Sequence, residues 1–275
     1  AQPSWTTIGV SSIEGTVVSG NGFVNAGDTL EVIAGTLTNN GTIDINAQGS
    51  SADGIILIGE DTTFGGSGSV RFRTSGANSR VSGVVDSDAE LTNALGHTIE
   101  GTGQVQVPFT NSGTVRPGLP FGILGATAGF TQAPSGTFVA SIGPSFSNGR
   151  LEVVGDATLG GTLDIAVVEP SVLTNGFTHI ILEADQVNGT FDTENTLLGP
   201  SGQLITRVRY SDTDVTIATR CLADVNLDSV TDAGDFFAWV NAFGLNDPLA
   251  DQNLDGLVDA GDFFAWVVNF NSGCS

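Results

Sequence analysis

Two segments twenty-seven residues apart carry the same arrangement of oxygen-bearing side chains. The first runs Asp224-Val-Asn226-Leu-Asp228-Ser-Val230-Thr-Asp232-Ala-Gly-Asp235, the second Asp251-Gln-Asn253-Leu-Asp255-Gly-Leu257-Val-Asp259-Ala-Gly-Asp262. Over the twenty positions that begin at Asp224 and at Asp251, fourteen are identical, which marks an internal duplication. Side-chain oxygens stand at positions 1, 3, 5, 9 and 12 of each twelve-residue loop, with the backbone carbonyl of Val230 or Leu257 at position 7. A hard cation of calcium size takes about 6–8 oxygens at about 2.3–2.6 Å. A short loop can wrap them round it when alternate side chains turn inward and a carboxylate from the first helical turn closes the shell. Each loop brings four Asp together, and without a cation their like charges repel. An acidic surface loop before a helix capped by Asp232 or Asp235 would explain neither the spacing nor its repetition. The expectation is two calcium ions, one held by Asp224, Asn226, Asp228, Val230, Asp232 and Asp235, the other by Asp251, Asn253, Asp255, Leu257, Asp259 and Asp262.

Each loop runs into an apolar stretch, Phe236-Phe-Ala-Trp-Val-Asn-Ala-Phe243 and Phe263-Phe-Ala-Trp-Val-Val-Asn-Phe270. Two helices so rich in aromatics either form their own small core or leave one face, including Trp239 or Trp266, to dock on the rest of the chain or on a neighbouring subunit. The whole of residues 221–275 resembles the dockerin domain, in which two calcium loops are each followed by a single helix, and especially its bacterial variety flanked by cysteines. That resemblance implies calcium-dependent attachment to a cohesin-like partner. The chain departs from the family at Ser229, where glycine is usual. It departs again at Ala233-Gly234 and Ala260-Gly261, where hydroxyl residues are common, and in having no Lys or Arg on the helices. Cys221 and Cys274 bracket the segment and are expected to form a disulfide, which on chain-entropy grounds would contribute roughly 4 kcal/mol to so small a domain.

The composition changes at Cys221. Residues 1–220 hold 21 acids and all 8 Arg; residues 221–275 hold 9 acids, every one Asp, and no base. Two domains follow, 1–220 and 221–275. In the first, the triplet Gly-Thr-apolar recurs seven times, for example at Gly41-Thr42-Ile43, Gly113-Thr114-Val115, Gly136-Thr137-Phe138 and Gly161-Thr162-Leu163. Glycine ends a strand in a sharp turn, threonine favours extended backbone, and the apolar residue points inward as the next strand begins. No stretch keeps a helical apolar period over three turns. The domain is therefore mainly β, and its many short, similar strands suit stacked coils better than a β-sandwich.

The text of Gly113–Gly118, Gly122-Ile-Leu, Phe130-Thr-Gln, Ser135–Gly143, Leu151–Ile165, His179-Ile-Ile-Leu-Glu-Ala and Val187–Asp192 resembles the β-helical passenger domains of bacterial autotransporters, a likeness that covers roughly residues 100–220. It implies a right-handed parallel β-solenoid (β-helix), followed here by the small α-helical, dockerin-like calcium domain. The membrane barrel that ends an autotransporter has no counterpart in the remaining 55 residues.

A formal charge of -22, with 30 Asp plus Glu against 8 Arg and no Lys, is incompatible with a nucleic-acid partner, whose binding needs a cationic surface. No apolar run reaches the ~18 residues of a membrane span. The opening Ala1-Gln2-Pro3, the absence of Met and the two Cys lead to the expectation of a secreted protein, extracellular or at the cell surface, with its signal peptide removed. Enzyme signatures are nearly absent. His97 and His179 are the only histidines; His179 lies in an apolar strand pattern and is read as a satisfied structural residue. Arg71, Arg73 or Arg80 with Asp86 and Asp88 could mimic the Arg base and acidic calcium ligands of a β-helical polysaccharide lyase. The reading is a non-catalytic structural subunit of a fibre, surface layer or matrix, a homo-oligomer or polymer assembled through calcium. Its alternatives are a rod that binds a polysaccharide or surface and docks on a cohesin-like scaffold, and the lyase.

Overall fold

The computed structural model describes residues 4–14, 17–33, 35–118, 121–143, 147–168, 173–197 and 204–273. The chain divides into two compact units. One comprises Ala1–Glu169, His179–Asn195 and Tyr210–Thr216, the other Pro170–Thr178, Thr196–Arg209 and Ile217–Ser275. The second unit thus holds the duplicated segment together with three pieces of the β-rich region.

The first unit is mainly β, and among its described residues the only helical turn is the 3-10 turn Gly76–Asn78. Its strands join three parallel ladders, which the chain visits in rotation. The first is traced by the column Ser4, Asn21, Thr42, Ser69, Thr98, Thr114, Thr137, Thr162 and Thr193, each residue paired with the next. The return is as short as Thr98 to Thr114 and as long as Thr162 to Thr193. The second ladder runs from Val10–Ile13 through Thr29–Val32 and Gly54–Ile58 to Gly149–Val153 and Thr178–Glu183. The third is an eight-stranded sheet bounded by Val17–Val18 and Gln186–Gly189.

One long strand, Thr98–Val105, belongs to both of the first two ladders. Its first half pairs with Thr114–Pro117 and its second with Gly122–Ala126. The change of direction needs Gly101, whose φ is +106° and whose missing Cβ would lie 2.0 Å from the Phe72 carbonyl oxygen. No side chain fits there.

Strand alternation puts every second residue inside. In the first ladder Ile43, Val70, Ile99, Val115, Phe138 and Leu163 are successive partners, and all are completely buried. Each such side chain contributes about 1.5–3 kcal/mol by leaving water.

The interior also holds a polar column. Asn39, Asn93, Asn111 and Gln132 each end a strand of the third ladder and are buried. Asn93 Nδ2 donates to Asn111 Oδ1 at 2.7 Å, and Asn111 Nδ2 to Gln132 Oε1 at 3.0 Å. In the preceding rung Asn93 pairs with Phe64, which pairs in turn with Leu37, so Asn39 stands two residues further along its strand than this column. His97, fully buried with its ring edge-on to Phe64, spans that rung. Its Nδ1 lies 2.6 Å from Asn93 Oδ1 and its Nε2 3.2 Å from Asn39 Nδ2. The pattern assigns one neutral tautomer, in which Nδ1–H donates and Nε2 accepts.

Burial lowers the His97 pKa from 6.5 to about 4. The folded value lies below the unfolded one, so the stabilisation from the neutral ring is complete above pH 6.5 and is lost as pH falls towards 4. The difference corresponds to about 3 kcal/mol. Denaturant midpoints measured from pH 7 to pH 4 should fall accordingly, with a shallower slope in His97→Gln. Asn111→Leu leaves Gln132 Oε1 without its donor and takes one of three acceptors from Asn93 Nδ2, which still donates to the carbonyls of His97 and Thr114; it should cost about 1–2 kcal/mol at pH 7, read as a shift in the urea midpoint.

Candidate metal centre

The two helices, α1 (Ala233–Gly244) and α2 (Ala260–Ser272), begin at the ends of the two Asp loops. Position 9 of each loop is the N-cap. Asp232 Oδ1 accepts from Gly234 N–H and Asp259 Oδ1 from Gly261 N–H, both at 2.6 Å. Position 12 answers, because Asp232 N–H donates to Asp235 Oδ2 and Asp259 N–H to Asp262 Oδ2, both at 2.8 Å. These reciprocal bonds satisfy two of the free N–H groups at each helix start.

The second oxygen of the position-12 carboxylate reaches back across the loop. Asp235 Oδ1 accepts from Asn226 N–H at 3.1 Å, and Asp262 Oδ1 from Gln252 N–H at 2.8 Å and Asn253 N–H at 3.2 Å. Position 1 closes the other side. Asp224 accepts from Asp228 N–H and Ser229 N–H at 3.1 and 3.0 Å, and Asp251 Oδ2 from Gly256 N–H at 2.9 Å. At position 5, Asp228 accepts from Val230 N–H and from the Asn226 amide, as Asp255 does from Leu257 N–H and the Asn253 amide. The duplication in sequence is thus a duplication of hydrogen bonds.

Carboxylates from four loop positions are drawn into each ring of N–H donors, and several are deeply buried. Asp235 and Asp262 are completely inaccessible and Asp224 nearly so, yet residues 221–275 contain no Lys or Arg. Burial pushes the Asp224 carboxyl above its usual range. The charges of Asp235 and Asp228 push the same way, against the N–H groups of Ser229 and Leu227. Asp251 Oδ1 is buried with no hydrogen-bond partner, a costly state for an anionic oxygen unless a cation meets it. The oxygen-only donor set and this orphaned oxygen fit a hard divalent cation. Among the described residues no three His, Cys, Asp or Glu side chains converge as a metal-holding group; each loop's donors include an Asn and a backbone carbonyl, and its acids face N–H groups.

Backbone strain repeats with the loops. Positions 4 and 6 are left-handed in both, with φ of +63° at Leu227, +72° at Ser229, +60° at Leu254 and +84° at Gly256. Ser229 therefore holds the conformation that Gly256 adopts freely.

Trp239 and Trp266 do not form an exposed face. Both are buried, stacked at 6.4 Å between ring centroids, in a core with Ala223, Val225, Ala242 and Ala250. The tryptophans sit on the inner side of each helix, four residues beyond the closing Asp, where the two copies meet. Phe237 and Phe264, equivalent residues in the duplication, are 72% and 70% exposed instead. Gln252 escaped the sequence reading because it lies between ligand positions where the first copy has Val225. It is buried and donates from its amide to the carbonyls of Leu222 and Leu249. Cys221 is buried and is not a free thiol; Cys274 lies outside the described residues.

The residues that could suggest catalysis are otherwise engaged. Arg71 pairs with Glu100, Arg73 with Asp44 and Arg80 with Asp53, not with Asp86 or Asp88. His179 is buried, which lowers its pKa, and its Nδ1 has no hydrogen-bond partner, contrary to the expectation of a satisfied residue. Among the described residues no helix is long and apolar enough to cross a membrane. No family model matches the chain, and neither does any curated protein.

A left-handed backbone costs a residue with a Cβ about 1–2 kcal/mol. Ser229→Gly should therefore raise stability by about 1 kcal/mol, and Gly256→Ser, whose side chain would enter open space, should lower it by a similar amount. Thermal unfolding of the two variants beside the parent checks both signs.

Proposed function

We propose that the chain is a non-catalytic structural protein of the extracellular space or cell surface, a subunit of a fibre, surface layer or matrix. In this reading residues 1–220 form a right-handed parallel β-solenoid, and residues 221–275 form a dockerin-like module whose two calcium ions hold subunits together. The rotation of successive strands through three parallel ladders supports the solenoid. Parallel crossovers are right-handed in nearly all known cases, which supports its hand.

The observation that carries the calcium reading is the repeated pair of buried Asp carboxylates at positions 1 and 12 of each loop, Asp224 and Asp235, Asp251 and Asp262, with no base in the segment and one orphaned oxygen at Asp251. Asp224, Asn226, Asp228, Asp232, Asp235 and the Val230 carbonyl would hold one ion, and Asp251, Asn253, Asp255, Asp259, Asp262 and the Leu257 carbonyl the other. Bound calcium would supply two positive charges to each set of four Asp. Its removal leaves those charges opposed at short range, so the module loosens and contacts made through it are lost.

A second reading is favoured by the paired exposure of Phe237 and Phe264. An apolar surface of this kind suits a single protein partner such as a cohesin-like scaffold, with the β-rich domain binding a polysaccharide or surface.

Sedimentation velocity of the purified chain with calcium and after exhaustive chelation separates the readings. Assembly predicts large homopolymers in calcium that fall to monomers in EDTA. The double variant Asp235→Asn/Asp262→Asn should stay monomeric and lose at least tenfold in calcium affinity. Polymers that survive EDTA would remove calcium as the linker; monomers in saturating calcium would remove the assembly reading and leave the single-partner one.

A further inference from the structure

The third ladder carries a regular column on its outward side. Thr36, Thr63, Thr92, Thr110, Thr131 and Thr158 are direct partners in succession, and Asn188 follows Thr158. All six side chains are exposed or half-buried, and neighbours stand one strand spacing, about 4.8 Å, apart. Among the described residues none of the six hydroxyls is used in a hydrogen bond, although Thr62, next door and inward-facing, donates to the Glu60 carbonyl.

Threonine also lines the first ladder, at Thr98, Thr114, Thr137, Thr162 and Thr193, so the column by itself does not mark a site. Threonine suits any exposed strand, yet the corresponding outward column of the second ladder reads Val10, Thr29, Ile55, Arg80 and Gln104. Threonine is thus repeated on two of the three ladders and not on the second, and what distinguishes the third is the groove beside it.

Three of the threonines, Thr110, Thr131 and Thr158, line a groove of about 610 Å³ whose acidic residues are Glu90, Asp156 and Asp185. No Lys or Arg lines it. Asp185 is fixed there, since its Oδ2 accepts from Gly155 N–H at 2.9 Å.

We propose that this groove binds a neutral polysaccharide chain lying across the strands, along the threonine column. The backbone N–H and C=O groups of these strands are taken up by the ladder, so an extended peptide would find no strand edge to pair with, and only side chains are offered. A threonine hydroxyl both donates and accepts, and a carboxylate accepts from hydroxyls in strong, charge-assisted bonds. A ligand dense in hydroxyls satisfies both. Three acids without a base repel uronate, sulfate and phosphate groups. The column continues past the groove to Thr92, Thr63 and Thr36 at a constant interval, which suits a repeating polymer over a single sugar. This site is independent of the Asp loops, none of whose residues lines it.

The test is co-sedimentation of the full chain with insoluble β-glucan, xylan and chitin, with pectate gel and polylysine-coated beads beside them. Retention on at least one neutral polysaccharide and not on pectate is expected. Thr110→Val/Thr131→Val/Thr158→Val, which removes the hydroxyls and keeps the shape, should weaken that retention at least tenfold with an unchanged circular dichroism spectrum. Thr29→Val on the second ladder should bind as the parent does. The proposal is overturned if no neutral polysaccharide retains the chain or if the triple variant binds equally well. It is also overturned if polylysine is preferred, which would make the groove an acidic surface for cations.

Discussion

Backbone pairing between successive strands is the interaction on which the β-rich unit rests. Because the strands of the three ladders traced above pair in parallel and in register, a residue in one turn of the chain meets its counterpart in the next, and whatever chemistry occupies a position is stacked upon itself. Ile43, Val70, Ile99 and their successors form an unbroken apolar file in this way. Asn93, Asn111 and Gln132 form a hydrogen-bonded one. A slip of one residue would turn the apolar file to water and bring the charged and hydroxyl side chains inside, so the register is strongly specified. His97 extends the hydrogen-bonded file past the Phe64 rung, since its imidazole joins Asn93 to Asn39, which lies two residues out of that column.

The Asp loops obey a different constraint. In each, two acids serve at once as helix caps and as part of a crowded anionic ring, so the groups that start the helix are the groups that would hold an ion. Order in the loop and order in the helix are therefore linked. The tryptophan pair extends that link, since Trp239 and Trp266 pack against each other from the two copies and any change in one loop bears on a core shared with the other.

Much of this was legible in the sequence, for identifiable reasons. The Gly-Thr-apolar triplets at Thr42, Thr114, Thr137 and Thr162 all open strands of the first ladder, where they occupy a single outward column. The triplet at Gly35-Thr36-Leu37 falls on the third. Local backbone preference is written in adjacent residues and can be read there. Which triplets share a column depends on turns of unequal length, and that is not written locally. Asn39 and Asn111 precede the polar residues Asn40 and Ser112 and look like turn formers, as Asn93 does shortly before Gly96; their burial comes from the stacking of distant rungs. The Asp loops were readable because every donor lies within twelve residues. The fate of the tryptophans was not, because helices apolar on nearly every side give no sign of which side faces the other copy.

The unequal returns of the chain, from Thr98 to Thr114 in one case and from Thr162 to Thr193 in another, carry a consequence for how such a unit can vary. The strands absorb none of the difference; it is taken up in the connections, and each rung is bonded only to the rungs before and after it. Extra residues can be spliced into a connection without shifting any column, and a complete rung can be gained or deleted with the loss of one repeat from each file. A molecule organised like this can be lengthened or shortened in steps, like a ruler cut at its marks, while its inner and outer faces keep their chemistry.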